Sequence, residues 1–185
     1  TLVEREQVEV LGGGYYEPVL ASLPLRDRVG QLTRMGDELE SMFGRRPRGA
    51  WLAERVWEPD LPASLVDGGY EWTILDDAHF RAAAIPEEDL WGPYTTEDQG
   101  QILTVFGTEQ GLRYRIPFRD VEDVIGYLRQ HATEAGDRVG MMGDTSPLPQ
   151  GAAIELATLE VTSATGPRVQ LPDRLCAPPP VWSPE

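Results

Sequence analysis

The residues best suited to chemistry lie in Trp51-Leu52-Ala53-Glu54-Arg55-Val56-Trp57-Glu58-Pro59, where two tryptophans flank a carboxylate and an arginine. Aromatic faces stack on the apolar faces of pyranose rings, while carboxylates handle hydroxyls and the anomeric carbon. An arginine beside a carboxylate favours its ionised form. The same residues also read as a buried strand end with an aromatic plug and a surface ion pair. Glu17, Asp76, Asp77 and Asp144 each fall, like Glu54, just after an expected strand. Asp76 and Asp77 either line a site or cap the helix that follows. His79 reads either as a substrate contact or as a satisfied structural donor.

The elements that must position these groups are marked by periodicity and punctuation. Gln7 to Leu11 alternates apolar and polar residues and reads as a strand ending at Gly12-Gly13-Gly14. Pro24 opens a helix through about Phe43, with Leu25, Val29, Leu32, Met35, Leu39 and Met42 at helical spacing, stopped by Gly44 and Pro47. Gly49 to Ala53 reads as a buried strand, Pro62 to Asp67 as a short helix closed by Gly68-Gly69, and Trp72 to Leu75 as another strand. Pro86 to Gly100 reads as an acidic loop. Ile102–Phe106 and Leu112–Ile116 flank Gly-Thr-Glu-Gln-Gly as a hairpin. Asp120 starts a helix from Val121 to about Thr133, and Val139 to Met142 forms a further strand.

This alternation is that of an α/β fold with a parallel sheet or barrel, in which active sites form at the C-terminal ends of the strands. Residues 1–144 make one domain on this reading. Residues 145–185 hold eight of the 16 prolines and keep no helical period, so they read as a largely disordered tail with one candidate strand, Ala157–Val161.

The formal charge of −15 and a pI near 4.5 argue against nucleic acid or an anionic membrane as partner. A single cysteine, Cys176, excludes an intramolecular disulfide framework, and two histidines make a zinc site unexpected. No cofactor or metal is expected. No apolar run reaches the ~20 residues that span a bilayer, and the opening residues are unlike a secretory signal. A cytoplasmic location is the default expectation. Lysine and asparagine are absent altogether; both use AA-starting codons, so a GC-rich coding sequence is expected.

The segment Trp51–Pro59 resembles the nucleophile motif of glycoside hydrolase family 57. Gly12-Gly13-Gly14-Tyr15-Tyr16-Glu17-Pro18, Leu75-Asp76-Asp77-Ala78-His79-Phe80 and Arg115-Ile116-Pro117-Phe118-Arg119 are similar to further motifs of that family, in the family's order. The resemblance covers roughly residues 7–144. It implies a seven-stranded (β/α) barrel of the glycoside hydrolase/deacetylase type, here incomplete, acting on α-glucans with retention of configuration. It further implies Glu54 as nucleophile, Trp51 and Trp57 bordering the sugar, and Glu17, Arg55, Asp77 and His79 on the same rim. The Arg-Val-Trp-Glu-Pro form is more similar to the amylases and 4-α-glucanotransferases than to the branching enzymes.

The chain departs from the family after Met142-Gly143-Asp144. Where the family places a second aspartate as acid/base, this sequence has Thr145. Retaining hydrolysis needs two carboxyl groups roughly 5–5.5 Å apart, so the expectation is a fragment inactive by itself. The abrupt change reads either as a frameshift or gene boundary after Asp144 or as a divergent natural tail. A sugar-binding module without turnover and an inert, association-prone product remain alternatives.

Overall fold

Gly12 and Gly13, expected to end a strand, are themselves the first strand. A computed structural model describes residues 2–143 and 156–160. The chain divides into two units: residues 2–75 and 94–106 form the first, and 76–93, 107–143 and 156–160 the second. Asp144, Thr145 and most of the proposed tail lie outside the described residues.

In the first unit, β1 (Gly12–Gly13), β2 (Gly49–Trp51) and β3 (Trp72–Leu75) run parallel. Gly12 faces Ala50 and Gly13 faces Trp51; Gly49 faces Trp72 and Ala50 faces Thr73. Helices α1 (Leu25–Phe43) and α2 (Leu61–Asp67) connect them, as parallel neighbours require a crossover. β1 must be glycine: a Cβ at Gly12 would sit 2.1 Å from the Tyr70 hydroxyl, and one at Gly13 would sit 2.6 Å from the Trp51 carbonyl oxygen. The Gly13 N–H donates to the Tyr70 hydroxyl, which donates to the Leu32 carbonyl. The segment from Gln7 to Leu11 forms no strand, so the expected alternation there has no partner to pair with.

Helix α1 begins after Pro24 and ends at Gly44, whose φ of 73° is the left-handed cap that glycine adopts without strain. Its inward face differs from the apolar pattern. Leu25 and Met42 are exposed, whereas Arg28, Leu32 and Gly36 are buried at four-residue steps. Arg28 is tolerated inside because its guanidinium donates to the carbonyls of Leu23 and Ala21 and to Asp60 at 2.7 Å. Gly36 leaves room for Arg46, which lies 2.6 Å from where a Cβ would stand. Leu32, Leu61, Leu65 and Ile74 form the core, each contributing about 2 kcal/mol by burial.

The sheet continues through β5 (Gln101–Gly107) to β4 (Pro93–Asp98), giving the order β1-β2-β3-β5-β4. The hairpin is therefore formed by β4 and β5, and the acidic stretch expected to be a loop contributes a strand. Its turn, Gln99-Gly100, has φ of 52° and 80°, the two positive values of a primed hairpin turn. Leu112–Ile116 does not pair with β5. The short helix α3 spans Asp77–Ala82. The Glu109 carboxylate accepts from the Leu112 N–H at 2.5 Å and starts a further short helix, α4 (Gln110–Arg113).

In the second unit, α5 spans Val121–His131 and β6 spans Val139–Gly143, close to expectation. Thr108 makes a parallel bridge to Met141, and the Glu109 N–H donates to the Met141 carbonyl at 2.6 Å. The opposite edge of β6 pairs antiparallel with β7 (Leu156–Glu160), from Val139 opposite Glu160 to Gly143 opposite Leu156. The described residues thus form an α/β fold with a parallel-rich sheet.

Candidate functional site

Glu54 follows β2 within a single tight turn, Ala53–Arg55. The Arg55 N–H donates to the Leu52 carbonyl at 2.9 Å, and the Val56 N–H to Ala53 at 3.3 Å. Buried Leu52 anchors this turn, and the Glu54 side chain is exposed. Glu54 and Arg55 have φ of 54° and 52°, left-handed values that cost a side-chain-bearing residue roughly 1–2 kcal/mol each.

Glu17 repeats this arrangement after β1. Its φ is 52°, its N–H donates to the Gly14 carbonyl at 2.9 Å, and its side chain is exposed. Because Gly13 and Trp51 are register partners in parallel strands, Glu17 and Glu54 follow the same ends of neighbouring strands. Trp51 and Trp57 are half-buried, as is Arg55, so each ring is fixed while part of it meets solvent. The structure therefore brings two exposed carboxylates and two tryptophans to one end of β1 and β2. None of the positive φ values was visible in the sequence, since no glycine marks them.

Asp77 and His79 belong to the second unit. Asp76 caps α3, accepting from the Ala78 N–H at 3.1 Å. Asp77 is 2% exposed and pairs with Arg81 at 2.8 Å. Burial raises the Asp77 carboxyl above its ordinary value, a hydrogen bond with Asp76 raises it further, and Arg81 opposes both. Arg81 also pairs with Glu87, and its guanidinium holds the Glu87 carboxyl below the usual range. The i,i+4 spacing of Asp77 and Arg81 was a legible signal for this pair. His79 is half-buried on α3 and engaged.

Asp77 also borders a pocket of about 470 Å³ lined by Trp91, Glu109, Tyr127 and His131 among others. Trp91 and His131 stack with centroids 4.4 Å apart. The Tyr127 hydroxyl donates to Glu109 at 2.8 Å, and Arg115 lies 3.7 Å over the Tyr127 ring. Burial pushes the Tyr127 phenol well up. Sequence reasoning missed this cluster, because its members are separated by long stretches of chain. Among the described residues, no group of three or more His, Cys, Asp or Glu side chains is placed to hold a metal ion. Among the same residues, no helix is long and apolar enough to cross a membrane.

A parallel-rich α/β sheet whose strand ends carry two exposed glutamates in left-handed conformation, one following tyrosines and one flanked by tryptophans, defines a carboxylate-rimmed α/β protein. The chain belongs to glycosyl hydrolase family 57, whose family model matches residues 1–146. It is 43% identical over 143 residues to alpha-amylase 1 of Dictyoglomus thermophilum, covering 77% of this chain and 21% of that protein. It is 46% identical over 137 residues to an alpha-amylase of Pyrococcus furiosus, covering 74% of this chain and 21% of that protein. The crystal structure of 4-alpha-glucanotransferase from Thermococcus litoralis is similar with a TM-score of 0.71 and 42% identity, over 75% of this chain and 22% of that one. The chain thus spans about a fifth of the length of these relatives.

Proposed function

We propose that residues 1–144 carry the nucleophile-bearing part of a retaining α-glucan-processing site, with Glu54 as nucleophile. The observation that carries this is the left-handed Glu54 at the end of β2, inside the family's Trp-Leu-x-Glu-Arg-Val-Trp motif. Strained backbone at an exposed carboxylate is retained where a fixed side-chain direction is needed. The names of the relatives, alpha-amylase and 4-alpha-glucanotransferase, support an α-glucan as the substrate.

In this reading a Glu54 carboxylate oxygen bonds to the anomeric carbon as the glycosidic C–O bond breaks, and the leaving oxygen takes a proton from a second carboxyl group. Water or another glucan hydroxyl then takes the glycosyl group and frees the carboxylate. Trp51 and Trp57 border the sugar, with Glu17 and Arg55 on the same rim. Thr145 stands at the acid/base position, and threonine cannot protonate a leaving oxygen near neutral pH. Turnover of natural glucans by this chain alone is therefore absent or very slow. The same replacement favours a second reading, α-glucan binding without turnover, in which Trp51→Ala weakens maltooligosaccharide binding.

An activated fluoro-maltosyl donor tests the nucleophile, because its leaving group departs without acid assistance. Intact-mass analysis should show one added glycosyl group on the wild-type chain and none on Glu54→Gln. A cooperatively folded wild-type chain that takes no adduct refutes the assignment.

A further inference from the structure

The turn that carries Glu17 is not held by its own backbone alone. Arg34, on α1, places its guanidinium carbon 4.1 Å from the Tyr15 ring centroid and 5.2 Å from that of Tyr16. The two rings meet edge to face, with centroids 4.9 Å apart. One turn earlier on the same helix, the Gln31 side-chain oxygen accepts from the Tyr16 N–H at 2.9 Å. The Arg34 guanidinium thus engages both rings at once. Within the turn itself, Pro18 packs where a Cβ of Gly14 would lie, 2.6 Å away. Helix α1 thus holds the segment directly before a glutamate in a left-handed conformation.

We infer that Gln31 and Arg34 are positioning residues, which brace Tyr15-Tyr16 against α1 and thereby fix Glu17 for sugar binding at the rim. This rests on the glucan-processing reading above. Neither residue touches sugar. They act through the tyrosine pair, which ties the turn carrying Glu17 to a 19-residue helix. Without the brace, Glu17 has a more favourable backbone conformation available and leaves the rim for part of the time. Donor binding then weakens, while the bond-making step at Glu54 is unaffected once donor is bound.

The test is the rate of adduct formation against fluoro-maltosyl donor concentration, which separates half-saturation from the saturated rate. Arg34→Ala should raise the half-saturating concentration about five-fold, the scale of one exposed cation–π contact. The saturated rate should change by less than about two-fold by the same reasoning. Arg34→Lys, which keeps a cation over the rings, should recover most of the loss. Arg26→Ala, the same charge change elsewhere on α1, should behave as wild type. Hydrogen exchange of the Tyr16 and Glu17 amides should quicken in Arg34→Ala alone. A wild-type chain that is trapped while Arg34→Ala matches it in half-saturation overturns the inference and leaves the nucleophile standing. Equal loss in Arg34→Ala and Arg34→Lys also overturns it. A folded wild-type chain that takes no adduct overturns the functional reading and this role with it.

Discussion

The same chemical change, glycine to alanine, should have opposite signs at two positions of the first unit. At Gly13 the added Cβ would stand 2.6 Å from the Trp51 carbonyl oxygen, about 0.8 Å short of the 3.4 Å at which ordinary contact begins. That oxygen belongs to the neighbouring strand and cannot swing aside, so β1 must move. β1 has only the two paired residues Gly12 and Gly13, so a shift of this size loosens the whole strand. Overpacking costs about 1–3 kcal/mol and each weakened hydrogen bond about 0.5–1.5 kcal/mol. A loss of about 3 kcal/mol is expected. At Gly30, inside α1, nothing lies within 4 Å of the added carbon. There alanine should stabilise by about 0.5–1 kcal/mol, through helix propensity and the reduced freedom of the unfolded chain. With a urea m-value of about 2 kcal/mol/M, Gly13→Ala should lower the midpoint by about 1.5 M and Gly30→Ala should raise it by about 0.3–0.5 M. Urea melts followed by far-UV circular dichroism read both. Equal midpoints for Gly13→Ala and wild type, with an unchanged slope, would refute the close approach of β1 and β2.

Glu54→Gly should abolish adduct formation while raising stability by up to about 1 kcal/mol, since glycine adopts the left-handed conformation without a Cβ penalty; a lower melting midpoint would remove the argument from strain. Arg28→Ala should cost about 2–3 kcal/mol, because two carbonyl groups lose their donor and a buried stem is removed. Asp60→Asn, at a partner 60% exposed, should cost less than about 1 kcal/mol, and urea melts that rank the two the other way would contradict the bonding described. Asp77 holds its proton more readily in the folded state than its ordinary value of 3.8 implies. Its contribution to stability is therefore complete below that value and is lost as pH rises through the raised one. Asp77→Asn has no such loss, so its stability relative to wild type should improve as pH rises above about 3.8. Parallel pH profiles for the two proteins would show that Asp77 is not buried as described.

What could be read from the sequence was whatever carries its own punctuation. Helix α1 is bracketed by Pro24 and Gly44, and α2 ends at Gly68-Gly69, so their limits follow from local rules. β1 was displaced in the reading because its residues have no side chains; only Tyr70 and Trp51, distant in sequence, reveal why they cannot. Leu112–Ile116 is a short apolar run of the kind that fits a strand or a helix equally, and the Glu109 cap decides it. The strand from Pro93 to Asp98 was hidden by its acidic setting, although Tyr94 and Thr96 alternate inward. At the site, the tryptophan flanks made Glu54 legible, while its backbone conformation was not. Arg34 gave no local cue, since its partners lie 18 and 19 residues earlier in the chain.

The pairing of β6 on both sides has a kinetic consequence. A strand with an open row of amides and carbonyls can recruit a strand from another molecule at a rate set by protein concentration. Here one row of β6 is engaged at Met141 by Thr108 and Glu109, and the other is filled by Leu156–Glu160 of the same chain. A foreign strand must wait for β7 to leave. Capture at this position is then limited by a unimolecular opening step, so its rate should level off as protein concentration increases.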